Sequence, residues 1–205
     1  MKIIGIGKNY VNDKSEIAAL KTGQQLIFLK ANSTLVTGNA NVMYPSGISN
    51  EVAYEVELVA KIGRTGKNIP LSEATSYISH IAVGIDYTAT DVLKANRALQ
   101  WPWTLAKGFD GASPISEFKP ISQFDNLDAI NFDLKINGAL KQTGNTAFMI
   151  YNFAEIIAYV STFMTLEPGD LFFTGTPASG TGLIHKGDHL QASIEGELLL
   201  DFKMI

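Results

Sequence analysis

Val52-Ala53-Tyr54-Glu55-Val56-Glu57-Leu58-Val59-Ala60-Lys61-Ile62-Gly63 is the clearest long strand in the chain. Its side chains alternate with a period of two, so Tyr54, Val56 and Leu58 share one face and Glu55 and Glu57 the other. Toward the N-terminus, Met1 to Gly7 and Gln25 to Lys30 read as short apolar strands. Between them, Lys8 to Glu16 is too polar for a core and suits a mobile loop or a short helix. Asn39 to Asn50 is a turn-rich connection around Tyr44-Pro45-Ser46-Gly47. Toward the C-terminus, Ser72 is placed to cap a helix of about two turns that runs through Tyr77. The apolar run His80 to Asp86 follows it. Phe132 to Ile136 and Ala139 to Gln142 form a hairpin across Asn137-Gly138, a pair that suits the positive φ angles of a type I′ turn. Asn152, with Glu155 three residues on, is a capping box for an amphipathic helix from Phe153 to Phe163. Leu171 to Thr174, Leu190 to Ile194 and Glu197 to Met204 close the chain as strands. Strands outnumber helices and do not alternate regularly with them, which predicts an α+β fold over a doubly wound sheet.

The chain has 205 residues, enough for one sizeable core and short for two complete domains of roughly 100–200 residues each. A single domain over 1–205 is expected, with 1–50 supplying N-terminal strands and a candidate lid segment. The composition is 46% hydrophobic and 18% charged, with no apolar run long enough to cross a bilayer and no charged-then-apolar leader. A globular, cytoplasmic protein without membrane contact is the expectation. The net charge of −4 provides no basic stripe for a phosphate backbone, which argues against nucleic acid as a partner. Cysteine is absent, excluding disulfides, thiolate zinc sites and a cysteine nucleophile.

Residues i and i+2 of a strand project from the same face, so Glu55 and Glu57 form a two-carboxylate claw. Asp86 ends another apolar run. Brought together without a cation, three carboxylates would raise one another's pKa, whereas a hard divalent ion would take them as oxygen ligands. Such a set suits Mg²⁺ or Mn²⁺ and lacks the nitrogen and sulfur donors that zinc prefers. The same spacing also fits two glutamates on the solvated face of an antiparallel strand, and spacing alone leaves both readings open.

The segment Tyr54 to Gly63 resembles the E-x-E strand of the fumarylacetoacetate hydrolase family. Further matches follow in order: Val83-Gly84-Ile85-Asp86-Tyr87-Thr88-Ala89-Thr90-Asp91, Trp103-Thr104-Leu105-Ala106-Lys107, Gln142-Thr143-Gly144-Asn145-Thr146, Leu166-Glu167-Pro168-Gly169-Asp170, Thr174-Gly175-Thr176-Pro177 and Gly187-Asp188. Near the N-terminus, Gly7-Lys8-Asn9-Tyr10 is similar to the family's G-R-N-Y segment and Phe28-Leu29-Lys30 to its F-L-K strand. The resemblance implies a strand-rich mixed β-sandwich roll with a few short helices, a homodimer, and Mg²⁺ or Mn²⁺ as cofactor. It implies that Glu55, Glu57 and Asp86 are the ligands and that Lys107 lies beside the substrate as a catalytic group. It also places Thr176 near the substrate carboxylate and makes Lys8 a substrate-binding residue. The implied substrate is a small 2-oxo acid that chelates the metal through its keto and carboxylate oxygens and reacts through an enolate. Acylpyruvate-type carbon–carbon hydrolysis is the leading expectation. Isomerisation of the 2-hydroxyhepta-2,4-diene-1,7-dioate type, or oxaloacetate decarboxylation or tautomerisation, is the alternative. A metal-binding protein that has lost catalysis is a third reading.

Two segments depart from the family pattern. Hydrolytic members carry a His and a Glu after G-R-N-Y, where the pair activates water; here those positions are Asp13 and Glu16. Three apart on a helical turn, they would share a face, and repulsion could keep one protonated if the segment closed over the site. A solvated polar loop is the other reading of the same residues. Thr90 stands where many relatives have an Arg that holds a second substrate carboxylate, and Leu93 where a Gln is common, which suggests a substrate with a less charged distal end. His80, His185 and His189 are read as lying away from the site, and Trp101-Pro102-Trp103 as a packed loop or dimer contact.

Overall fold

The apolar runs become fifteen strands in the structure, a computed structural model that describes residues 1–205. In the first part of the chain these are β1 (Ile3–Gly7), β2 (Leu26–Lys30), β3 (Leu35–Val36), β4 (Val52–Tyr54), β5 (Val56–Ile62), β6 (Ile78–Ile85), β7 (Thr88–Ala89), β8 (Ser113–Pro114) and β9 (Lys119–Pro120). The second part adds β10 (Asn131–Ile136), β11 (Ala139–Asn145), β12 (Leu171–Phe173), β13 (Gly182–Leu183), β14 (His189–Ile194) and β15 (Glu197–Lys203). The helices are short: α1 (Ile17–Leu20), α2 (Thr90–Ala98), α3 (Thr104–Lys107) and α4 (Phe153–Ser161). None is long and apolar enough to cross a membrane.

The largest sheet has six strands in the order β2-β1-β12-β5-β6-β9, and a second has four in the order β11-β10-β14-β15. All pairs in them are antiparallel except β1 with β12, where Ile3 lies opposite Leu171. The four-stranded sheet packs through β10, β14 and β15 onto β5 and β6. Alternation decides what lies between them: Val56, Leu58, Ala60 and Ile62 meet Phe132, Leu134, Leu190 and Ala192 in the main core. The opposite face of β5 carries Glu57 and Val59, and Val59 joins Ile3, Ala82, Leu171 and Phe173 in a smaller apolar cluster. A strand held between β12 and β6 and covered on both sides has no solvated face, and Glu57 is 3% exposed.

The long strand read from Val52 to Gly63 is two strands in different sheets. β4 pairs with β13 and β7 in a three-stranded sheet, and β5 belongs to the six-stranded one. The break falls at Glu55, where two backbone groups find other partners: the Glu55 carbonyl accepts from Asp86 N at 2.8 Å, and Val56 N donates to Gln142 Oε1 at 2.9 Å. The expected helix capped by Ser72 is instead a 3-10 segment, Leu71–Tyr77, with Pro70 at its N-cap and no side-chain cap. The hairpin at Asn137-Gly138 forms as expected, with φ of 53° and 78°. So does the capping box of α4, where Asn152 accepts from Glu155 N and Glu155 from Asn152 N.

Candidate metal centre and substrate cavity

The β5–β6 register pairs Val56 with Ile85, which sets Asp86, the next residue, beside Glu55. Glu55, Glu57 and Asp86 each offer an oxygen, and these atoms all lie within 4.8 Å of one another. Two lysines reach them from elsewhere in the fold. Lys30, the last residue of β2, donates to Asp86 Oδ1 and to the Ala112 carbonyl. Lys107, the last residue of α3, donates to Asp86 Oδ2 at 2.5 Å and to Glu55 Oε2 at 2.6 Å. Glu57 has no lysine partner and accepts instead from the backbone N–H of Gly175 at 2.8 Å.

The electrostatics follow from that division. Burial pushes the Glu57 carboxyl well above its usual range, and the charges of Asp86 and Glu55 add to the rise. Burial works in the same direction on Asp86, but Lys107 and Lys30 outweigh it and hold that carboxyl low. Burial works to lower Lys107, yet Asp86 and Glu55 more than reverse it, so Lys107 stays cationic. Lys30 is lowered by burial and by the nearby charge of Lys107, against the pull of Asp86. With all three carboxylates ionised, two lysines would leave one negative charge unmatched, and without a cation it is Glu57 that holds the proton. Hard oxygen donors with an excess of negative charge fit a divalent cation such as Mg²⁺ or Mn²⁺.

The triad opens into a cavity of about 370 Å³. Lys8, Thr176 and Lys107, the expected substrate-side residues, all line it. Lys8 sits there in a left-handed turn with φ 55°. The next residue, Asn9, ties that turn down by donating to the Tyr151 and Thr174 carbonyls. Thr176 Oγ1 accepts from Gln142 Nε2 at 3.0 Å, which leaves its hydroxyl proton free for a ligand. Leu93 also lines the cavity.

Asp13 and Glu16 are not brought to this cavity. Both are exposed, on the 3-10 turn Lys14–Glu16 and its N-cap, where Asp13 accepts from Ser15 N at 2.9 Å. Those hydrogen bonds from Ser15 lower the Asp13 carboxyl, the reverse of the shift expected from a repelling pair. Thr90 does not line the cavity either, since its hydroxyl donates to the Glu51 carbonyl at 2.9 Å. Of the histidines, His80 stacks edge-on against Phe118 and His189 pairs with Asp201; none lines the cavity.

Four residues of the site carried no role in the sequence reading: Lys30, Gln142, Tyr10 and Arg97. Lys30 had a local signal, a lysine ending an apolar strand. Gln142 acts through a bridge from Val56 N to Thr176 that crosses three elements. Tyr10 Oη is buried at the cavity wall near Thr174 and Glu57, with no hydrogen-bond partner in the protein. Arg97, on α2, lines the cavity with its guanidinium 4.8 Å from the Trp103 ring centroid.

A family profile described as fumarylacetoacetate (FAA) hydrolase C-terminal matches residues 2–201. The mitochondrial oxaloacetate tautomerase of Rattus norvegicus is 36% identical over 202 residues, covering 98% of this chain and 90% of that protein. A mitochondrial oxaloacetate decarboxylase of Dictyostelium discoideum is 36% identical over 196 residues, covering 95% and 89%. Among solved structures, the fumarylpyruvate hydrolase of Pseudomonas aeruginosa, in complex with Mn²⁺ and pyruvate, superposes with a TM-score of 0.88 at 31% identity. That match covers 100% of this chain and 90% of the other.

Proposed function

The chain belongs to the fumarylacetoacetate hydrolase family, and from that premise we propose a divalent-metal-dependent enzyme that enolises a small 2-oxo acid, by tautomerisation or decarboxylation, without activating water. The observation that carries this reading is the composition of one cavity: three carboxylates and the cation of Lys107 converge in it, while Asp13 and Glu16 stay outside.

Glu55, Glu57 and Asp86 would hold the ion. A divalent cation bound there supplies Lewis-acid polarisation of the 2-oxo group. Lys107, kept charged by Asp86 and Glu55, aims an ammonium donor into the cavity where negative charge develops on the substrate oxygen. The Thr176 hydroxyl, oriented by Gln142, and the Tyr10 phenol, kept neutral by burial, are donors for a carboxylate. Neither tautomerisation nor decarboxylation requires a nucleophilic water: in tautomerisation the C3 proton would pass to solvent in the cavity, and in decarboxylation the carboxylate would leave as CO₂ and the enolate would regain a proton from solvent, so neither reaction needs Asp13 and Glu16 as a water-activating pair. The likeness to the rat oxaloacetate tautomerase and the Dictyostelium oxaloacetate decarboxylase points the same way. Hydrolysis of an acylpyruvate is the second reading, favoured by the likeness to the Pseudomonas fumarylpyruvate hydrolase.

Deuterium uptake at C3 of a 2-oxo acid in D₂O, followed by mass spectrometry with Mg²⁺, separates them. The expected result is metal-dependent exchange that disappears with a chelator and in Glu57→Gln, and falls about 100- to 1000-fold in Lys107→Met. Faster cleavage of an acylpyruvate than exchange would establish the hydrolase instead. If neither reaction occurs, the enzymatic reading fails.

A further inference from the structure

An aromatic wall runs outward from the triad, and its two ends carry cations of opposite status. Lys107 Nζ lies 5.1 Å from the Phe28 ring centroid, Phe28 lies 5.9 Å from Trp103, and the Arg97 guanidinium lies 4.8 Å from Trp103. All four residues line the same cavity. At the inner end, two of the three Lys107 ammonium donors are engaged by Glu55 and Asp86, and its charge is matched by theirs. At the outer end, Arg97 forms no ion pair with any carboxylate of the chain. Stacking on an indole fixes the guanidinium plane and partly desolvates one face, while its N–H edge stays available as a fork for a carboxylate. Trp103 is itself held in place: Asn96, buried on α2 one residue before Arg97, donates to the Pro102 carbonyl at 3.0 Å and accepts from Trp101 N at 2.8 Å. Lys8, also without an ion pair, lines the cavity from the end of β1.

We propose that Arg97 is the specificity-determining residue of this site, and that it selects 2-oxo acids bearing a second, distal carboxylate. This inference rests on the reading of the triad as the site that holds the 2-oxo acid end. The charge balance supports it: three carboxylates against two lysines and a divalent ion leave the inner end with one excess positive charge, and Arg97 and Lys8 add two more. A dianionic ligand matches that field better than a monoanion does. The less charged distal end expected from Thr90 gives way to a charged one, received by a different residue of the same helix.

The test compares equilibrium binding of two ligands, 2-oxobutyrate and 2-oxoglutarate, to the Mg²⁺-loaded protein by calorimetry. They share the 2-oxo acid end, and only 2-oxoglutarate has a distal carboxylate. Wild type should bind 2-oxoglutarate about 10-fold more tightly, the worth of one charge-assisted hydrogen-bonded pair. Arg97→Gln should remove that advantage and leave 2-oxobutyrate within about twofold, as expected for an exposed substitution that touches only the distal end. Arg97→Lys should recover part of it. Equal affinity of wild type for both ligands, or an Arg97→Gln change that weakens both alike or neither, overturns the role of Arg97 while leaving the triad reading intact. Failure of wild type to bind 2-oxobutyrate at all, with Mg²⁺ present, overturns the triad reading and this inference with it.

Discussion

Gly175 shows how closely the site is built at the scale of one residue. Its φ of 100° lies in the region that glycine adopts freely, and its N–H is the only protein donor found for Glu57. A Cβ added there would sit 2.9 Å from Asn9 Cβ and 3.2 Å from the Ile6 carbonyl oxygen, on either side of Lys8. Gly175→Ala is therefore expected to destabilise the fold by about 1–3 kcal/mol in urea denaturation, and to weaken metal affinity because the Glu57 carboxylate loses its anchor. Unchanged stability together with unchanged metal affinity would refute that coupling. The role was not legible from Thr174-Gly175-Thr176-Pro177, which reads locally as a turn, because the partner is 118 residues away.

At the scale of elements, the break between β4 and β5 and the short α2 decide what the site looks like. Period-2 alternation runs unbroken through Glu55, so the sequence pattern contains nothing to stop the strand. The stop is supplied by Gln142, whose amide oxygen takes the Val56 N–H while its NH₂ holds Thr176 and the Ser179 carbonyl. Gln142→Leu keeps the bulk and removes the bridge, leaving a buried N–H unpaired. A loss of about 1–3 kcal/mol in chemical denaturation is expected, together with weaker binding of any carboxylate that Thr176 receives. A loss below the precision of the measurement would mean that another group captures the Val56 N–H. α2 escaped the sequence reading for a different reason. Its N-cap, Ala89, offers no side-chain acceptor, and neither Thr88 before it nor Thr90 after it supplies a capping hydrogen bond. α4, with Asn152 and Glu155 both engaged, announces itself.

At the scale of the whole molecule, the triad ties stability to pH and to metal. Glu57 has a folded-state pKa raised above its ordinary 4.5, so above that value the folded state holds a proton that the unfolded chain releases. Metal-free protein is then expected to lose stability as the pH rises through this window. Asp86 works in the opposite sense at lower pH: its depressed pKa supplies stability that is present above 3.8 and lost as the pH falls through the folded value. Metal binding needs Glu57 ionised, so uptake should release a proton and apparent affinity should rise with pH. A saturating ion at about 100 times its dissociation constant adds ~2.7 kcal/mol. Melting temperatures with chelator should fall as the pH rises above 4.5, and those with Mg²⁺ or Mn²⁺ should stay level over the same range. A chelator-treated protein whose melting temperature holds steady across that range would show that Glu57 is already ionised without metal.

By itself, the sequence determined the strand-rich α+β character, the Asn137-Gly138 hairpin, the cap of α4 and the two-residue spacing of the glutamates. Each of these depends on backbone geometry within a few residues, where period, turn chemistry and capping act directly. It left the clear long strand from Val52 to Gly63 open between a metal claw and a solvated face. Only the tertiary structure decided that, by covering β5 on both sides and bringing Lys30 across 56 positions to Asp86 and Lys107 across 52 to Glu55. The same packing leaves Asp13 and Glu16 in solvent and turns Arg97 toward the cavity. The reason is physical: the cost of holding like charges together is set by burial and by the cations within reach, and both depend on contacts that no local pattern encodes.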